Sequence, residues 1–414
     1  MPAHLARSRR TAAPSVSLRP GRKRDLDRLL EIHTAAFPDP RPIEVRRRVF
    51  MANKLGGIEH LRVAERAGEL IAHAFLFPLE VWVCGARVSA AGIASVGVAV
   101  EARREGVAST LLADLHRCAA AAGAAFTVLY PFRQSFYSGL GYVPAAHQRV
   151  LTTSPAAIPA EWALASPGRV RRMVGRDLRA LARAYEAAAR QGNGLIVRPD
   201  RLWESYLLDE RRQWLVLEHH RRMLGYTSFT LQQAEPHARV RAVVHEVVAP
   251  TDAARRRLLA ALRTLSSQVA ELTLTLAADD PLDWSFLDAD RDLEGTEAVE
   301  HAIGVVSTGP MLRSTSASRV AMARGYRVTG RLNVKVASEA AFEVDVRDGR
   351  ATVARPRKGP TLVASARAFA AVALGGLGVH DAVRLGWLPG NDPGTLELAA
   401  SLFQIPSFFT LDAF

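Results

Sequence analysis

Cysteine is nearly absent: Cys84 and Cys118 are the only two in 414 residues. That is too few for a disulfide framework or a zinc cluster, and it suits a reducing cytosol. Cys84 ends the apolar run Val81-Trp82-Val83 and Cys118 falls in a predicted helix, so both are expected to be core thiols. Lysine is scarce too. Lys23, Lys54, Lys335 and Lys358 are all there are, so the net charge of +13 is almost wholly arginine. Such a balance suits anionic partners without choosing among them. No apolar run reaches eighteen residues, so nothing is predicted to cross a bilayer and no membrane partner is expected. Residues 1–14 carry Arg7, Arg9 and Arg10 but no apolar core ahead of a cleavage site. They are expected to be a disordered basic tail, not a secretory signal, and the expected compartment is the cytoplasm.

The histidines His33, His116, His219 and His220 show no ligand spacing with carboxylates or cysteines, so no metal site is expected. The runs Arg46-Arg47-Arg48 and Arg255-Arg256-Arg257 fall on predicted helices and are expected to be solvated faces. No nucleic-acid motif with interleaved aromatics appears, and nucleic acid is not an expected partner.

Three regions follow the tail. Residues 15–154 have α/β grammar. A strand at 15–19 precedes a helix at 24–37, whose apolar Leu26, Leu29, Leu30, Ile32 and Ala36 recur at helical spacing. Past the turn Phe37-Pro38-Asp39-Pro40-Arg41-Pro42 come a second helix, then strands at 61–65, 69–83 and 93–100, a helix at 104–121 and a strand at 126–130. Residues 155–298 open on a stretch rich in proline, alanine and serine (155–167), predicted to be a linker, and then repeat the same grammar. Residues 299–414 differ, with a helix near 316–324, a β-rich segment over 326–353 and helices at 365–374 and 379–385.

One segment carries chemistry. The strand ending Val98-Ala99-Val100 runs through Glu101-Ala102-Arg103-Arg104-Glu105-Gly106 straight into a helix at Val107-Ala108. The first turn of a helix leaves its N–H groups unpaired, and the helix dipole adds partial positive charge. Gly106 lets backbone approach an anion closely, and Arg103 and Arg104 can add charge-assisted bonds, so the turn suits a pyrophosphate. Downstream stands Tyr130-Pro131-Phe132-Arg133-Gln134-Ser135-Phe136-Tyr137-Ser138-Gly139-Leu140-Gly141-Tyr142.

These two segments, in this order and spacing, resemble the GNAT superfamily of N-acetyltransferases. Its acetyl-CoA motif, Gln/Arg-x-x-Gly-x-Gly/Ala, is matched by Arg103-x-x-Gly106-x-Ala108, and its Phe-Tyr-x-x-x-Gly-Phe/Tyr element by Phe136-Tyr137-x-x-x-Gly141-Tyr142. The resemblance implies acetyl-CoA as cosubstrate, held by Val98, Val100, Arg103, Arg104, Gly106, Val107 and Ala108. It also implies Tyr137 as the general acid. A thiolate of pKa ~8.5 leaves more easily beside a donor of pKa ~10 that is protonated at neutral pH.

The whole-chain layout is similar to the enhanced intracellular survival (Eis) family. The resemblance implies tandem GNAT folds followed by a sterol-carrier-protein-like domain, an α/β (α+β) architecture, and a homohexamer. The second strand–turn–helix, Glu246 to Arg256, has no glycine in its turn and brings Asp252, so no acetyl-CoA is expected there. Met311-Leu312-Arg313 and the stretch Ser365–Leu377 match the third domain. In that family the C-terminal carboxylate acts as general base, a role the resemblance gives to Phe414. A free α-carboxylate of pKa ~3.3–3.7 is a weak base at neutral pH, so burial must raise it or a water must relay the proton.

The implied acceptor is a primary amine, aminoglycoside-like or lysine-like, with Asp39, Glu44 and Asp412 as candidate acidic contacts. Pro38–Val45 offers no clear aromatic partner, a departure from the best-known aminoglycoside-modifying members. A competing reading makes the third domain the working part, carrying or sensing a lipid on an acetyltransferase scaffold. The intact Arg103–Ala108 turn favours catalysis.

Overall fold

The computed structural model describes residues 15–145, 147–233, 235, 238–286, 304–337 and 339–413. The tail 1–14 and Phe414 therefore lie outside the described residues. The chain forms two compact units: residues to Phe77 with Ile93–Cys118, and Pro78–Gly92 with Ala119 onward.

In the first unit, strand β1 (Ser17–Pro20) carries helix α1 (Leu26–Ala36) behind it, and the proline-rich turn leads to α2 (Ile43–Met51). Strand β2 (Leu61–Arg66) pairs antiparallel with β1, Leu18 facing Ala64. It also pairs with the start of β3 (Glu69–Val83), Leu61 facing Phe75. The β2–β3 turn is Ala67-Gly68, both at positive φ (51° and 84°), the geometry that suits a two-residue hairpin. The end of β4 (Ala86–Val98) then leads to α3 (Val107–Ala121). Helix α1 buries Leu26, Leu29, Leu30 and Ile32, the apolar period seen in the sequence.

Arg46 departs from its expected solvated face. It is buried, and its guanidinium donates to the carbonyls of Phe37 (2.9 Å) and Asp39, tying α2 back onto the turn before it.

This unit's core holds two histidines among aromatics. Rings of His33 and His73 lie 5.5 Å apart, Phe50 meets both edge-on, and Phe75 stacks on Phe77. A Cβ at Gly97 would come within 2.6 Å of His73 Nε2, so glycine makes room for the ring. Burial favours the neutral form and pushes His73 down to about 3 and His33 to about 4. Both native values lie below the unfolded one, so the unfolded chain binds more protons between about pH 6.5 and 3. Stability is therefore lost as pH falls through that window. His73→Leu is expected to gain ~2 kcal/mol relative to the native chain on moving from pH 8 to pH 5. Urea unfolding at both values measures it; equal losses in both proteins would remove His73 as the cause.

The second unit begins with the end of β3 and the start of β4, joined by Cys84-Gly85, both at positive φ (47° and 80°). Cys84 thus sits in a turn and is half-buried, as is Cys118, whereas both were expected in the core. Next come β5 (Phe126–Leu129), α4 (Gln134–Gly139), β6 (Val143–Pro144) and β7 (His147–Thr153). The following stretch holds β8 (Arg169–Arg172), α5 (Leu178–Ala189), β9 (Asn193–Ile196), α6 (Asp200–Leu207) and β10 (Arg212–His219). Then come β11 (Arg222–Gln232), β12 (Val240–Val248), α7 (Asp252–Arg263), β13 (Val269–Ala277), β14 (Gly304–Thr308) and β15 (Met311–Ser314).

Strand order in the seven-stranded sheet is β14-β7-β13-β12-β11-β10-β8, antiparallel except between β12 and β13. Strand β7, counted by sequence with residues 15–154, belongs to this sheet, and so does β14 from the third region. Conversely β15 inserts between β5 and β6, with Met311 facing both Leu129 and Pro144. Strand β9 pairs with the end of β3, Ile196 facing Val81. The strands are thus exchanged across the boundaries that composition suggested. Nor is 155–167 a free linker. It makes two short turns whose Ile158 is fully buried, held by Arg263 Nη1 donating to the carbonyls of Ala156 and Ile158 (2.7 Å).

The remainder is a four-stranded sheet ordered β18-β17-β16-β19, formed by β16 (Gly330–Val336), β17 (Phe342–Arg347), β18 (Arg350–Ala354) and β19 (Thr361–Ala364). Helix α8 (Ala317–Ala323) precedes it, and α9 (Ala366–Ala370), α10 (Val379–Arg384) and α11 (Pro393–Phe403) follow. Among the described residues no helix is long and apolar enough to cross a membrane, and no group of three histidine, cysteine, aspartate or glutamate side chains is placed to hold a metal.

Candidate active site

The cofactor candidates lie in the first unit, where β4 ends and α3 begins. After a short turn at Val100–Ala102, Arg104 and Gly106 both take left-handed backbone (φ 64° and 80°) and the helix starts at Val107. Gly106 has open space where a Cβ would stand, so its positive φ is the reason for glycine. Its carbonyl accepts from the Thr110 N–H (3.0 Å) and Thr110 Oγ1 (3.2 Å), which pins the first turn. Val107 is buried and Ala108 half-buried.

Arg103 serves differently from the expectation. Its Nε donates to Val98 O (3.2 Å) and its Nη2 to Ala35 O (3.1 Å), so it braces the strand end against α1. Val98 O is thereby occupied, and Val100 O receives the Arg103 N–H. Asp39 and Glu44 are also in this unit. Asp39 pairs with Arg41 (2.6 Å), whose side-chain and backbone bonds pull its carboxyl down to about 2. Glu44 is exposed, 3.6 Å from Arg47.

Tyr137 belongs to the second unit, on the single turn and a half of α4. Its carbonyl accepts from the N–H groups of Leu140 (2.9 Å) and Tyr142 (3.1 Å). Gly141, at φ 89°, ends the helix in the left-handed region, and a Cβ added there would come within 3.3 Å of Arg313 Nε. The ring is 3% exposed and packs edge-on to Phe132, Phe136 and Tyr142. Tyr142 is anchored through its hydroxyl to Thr127 Oγ1 (2.9 Å). The Tyr137 hydroxyl has no hydrogen-bond partner among the described residues, and burial pushes its pKa up to about 12. It is a proton donor throughout the neutral range.

Asp412, expected among acceptor contacts, is instead sealed inside the second unit. It is 1% exposed, with both carboxylate oxygens taken by Arg198 Nε (3.0 and 3.1 Å) and by the hydroxyls of Tyr206 (2.7 Å) and Tyr185 (3.3 Å). Arg198, Tyr206 and Glu246 were not anticipated from the sequence.

Residues 17–145 match the model of an acetyltransferase (GNAT) domain, and residues 194–313 match that of a second acetyltransferase (GNAT) domain. The chain is a GNAT-type N-acetyltransferase built of tandem GNAT domains, and acetyl-CoA is the cosubstrate such domains use. Solved structures share the fold along almost the whole chain. A GCN5-related N-acetyltransferase from Anabaena variabilis is 20% identical with a TM-score of 0.82, over 97% of this chain and 100% of that one. One from Kribbella flavida is 22% identical with a TM-score of 0.78, over 97% and 99%. Eis1 from Mycobacterium abscessus is 21% identical with a TM-score of 0.76, over 96% and 100%. The likeness to Eis1, as to the other two, is one of fold. No curated protein sequence matches it.

Gly106→Val tests the cofactor turn. A β-branched residue at φ 80° is strained by ~1–2 kcal/mol and puts a side chain where phosphate oxygens approach the helix. Calorimetry is expected to show acetyl-CoA affinity down about tenfold or more. Unchanged affinity would place the phosphates elsewhere.

Proposed function

We propose that the protein transfers the acetyl group of acetyl-CoA directly to a primary amine, with Tyr137 as general acid and the α-carboxylate of Phe414 as general base. The observation that carries this reading is Tyr137 itself: a buried ring whose protonated hydroxyl has no hydrogen-bond partner among the described residues, in the element matched to the superfamily motif. The acceptor ammonium, of pKa ~10.4 if lysine-like, first yields a proton to the carboxylate, directly or through water. The amine nitrogen attacks the thioester carbonyl, a C–N bond forms, the C–S bond breaks and the departing thiolate takes the Tyr137 proton; the attacking nitrogen sheds its second proton to water, and Tyr137 is reprotonated from water to complete the cycle. The acceptor is aminoglycoside-like or lysine-like, and exposed Glu44 is the carboxylate with most freedom to meet its other ammonium groups. The four-stranded C-terminal region is read as sterol-carrier-like, and the assembly as a homohexamer.

The test measures coenzyme A thiol released from acetyl-CoA with aminoglycosides, polyamines and lysine peptides. It compares the native chain with one lacking Phe414 and one bearing a single residue after it. Amine-dependent turnover is expected, reduced at least tenfold in both altered chains. Turnover indifferent to both changes would remove the base assignment, and release without dependence on any amine would remove N-acetylation of these acceptors.

A further inference from the structure

The second GNAT domain contains a site that the catalytic reading leaves unexplained. Strands β12 and β13 run parallel only as far as Val244 facing Leu274, and beyond that pair a cleft opens toward the start of α7. In a GNAT domain this strand–turn–helix is the cofactor position. Here the chain's own C-terminal segment enters: Phe409 and Leu411 line the remaining cavity of about 80 Å³ with Val247, Leu259 and Leu276. The start of α7 is closed off as well, because Thr251 caps it and Arg255 pairs with Asp280.

The segment is fastened along its length. Asn193 Nδ2 donates to the carbonyls of Leu374 (2.7 Å) and Pro406 (3.1 Å), and the Phe409 N–H donates to Asn193 O (2.8 Å). Gly194, at φ 108°, has room only for hydrogen: a Cβ would meet Phe409 N and O at 2.8 and 2.7 Å. Beyond Leu411, Asp412 is gripped by Arg198, which lies over the rings of Tyr185, Trp203 and Tyr206 and also pairs with Glu246 (2.9 Å). From the catalytic side, the Tyr130 hydroxyl donates to Asp412 O (3.3 Å), seven residues ahead of Tyr137.

We infer that the second GNAT domain has become a clamp for the chain's end, in which Arg198 acts through Asp412 as a positioning residue for Phe414. The inference rests on the base role proposed above. The cleft takes a polypeptide in place of a cofactor, and the buried ion pair fixes where the two residues after Asp412 start.

Asp412→Asn keeps the shape and removes the charge that Arg198 reads, and Tyr206→Phe, a milder change, removes one bond should the first variant fold poorly. Two quantities are read: release of Phe414 by a carboxypeptidase, followed by mass spectrometry, and kcat with KM for amine acetylation. Release is expected to rise at least tenfold in Asp412→Asn and about threefold in Tyr206→Phe. kcat is expected to fall by similar factors, with KM for acetyl-CoA within twofold of native. Unchanged release in both variants overturns the clamp, whatever kcat does. Faster release with native kcat upholds the clamp and overturns the base role of Phe414, so the two failures are distinct.

Discussion

Tyr137→Phe is expected to lower kcat by a factor of about 10²–10⁴, the range for losing a positioned general acid. The KM for acetyl-CoA should stay within twofold, because the lost hydroxyl acts on the leaving sulfur and not on the cofactor's phosphates. Folding should be almost untouched. The ring keeps its edge-on contacts with Phe132, Phe136 and Tyr142, and no described residue loses a hydrogen bond. That separation makes the variant informative, since stability and chemistry respond to different atoms of one side chain. The pH dependence adds a second check. With its pKa raised to about 12, Tyr137 stays protonated from pH 6 to 9, so the fractional loss should be the same across that range. A loss confined to the alkaline end would mean that the donor titrates there and is another group. A native kcat at every pH would sink the acid assignment outright.

What was legible in advance follows from how local each signal is. Helix α1, strand β3 and the turn before α3 could be read directly, because periodicity and a glycine at positive φ are properties of a few consecutive residues. The exchanged strands could not. Nothing in Met311–Ser314 says that its partners are Phe126–Leu129 and Val143–Pro144, far back along the chain. Composition also misled at 155–167, where proline and alanine build packed turns instead of a tether. Arg46 shows the same limit. Three consecutive arginines on a helix cannot all face water, and the one turned inward binds the carbonyls of the preceding turn. The clamp did leave one trace. Glu246 stands in the apolar strand β12, between buried Val244 and Val248, and a carboxylate buried there must find a cation. Asp412 gave no such warning, since a lone acid in an apolar tail reads equally well as solvated.

The cation it found sets the second large effect. Arg198, Glu246 and Asp412 are each at most 1% exposed at the side chain, and Arg212 supplies a further bond to Glu246 at 2.6 Å. Two buried carboxylates and two guanidiniums balance. Arg198→Met leaves Asp412 with tyrosine hydroxyls and no cation, and Glu246 with Arg212 alone. Removing one partner of a buried pair costs ~3–5 kcal/mol, chiefly for the charge left uncompensated, and loss of the stacking on Tyr185 and Trp203 adds to it. The double change Arg198→Met with Asp412→Asn should be milder than the sum of the two singles, because neutralising Asp412 removes the stranded charge. Urea unfolding of the four proteins gives the coupling, expected at ~1–3 kcal/mol. A coupling near zero would mean that the two residues are merely neighbours, and the tail would then be held by Phe408, Phe409 and Leu411 through apolar contact. A coupling in the expected range would show that the tail's seat in the second domain is set by charge as well as by shape.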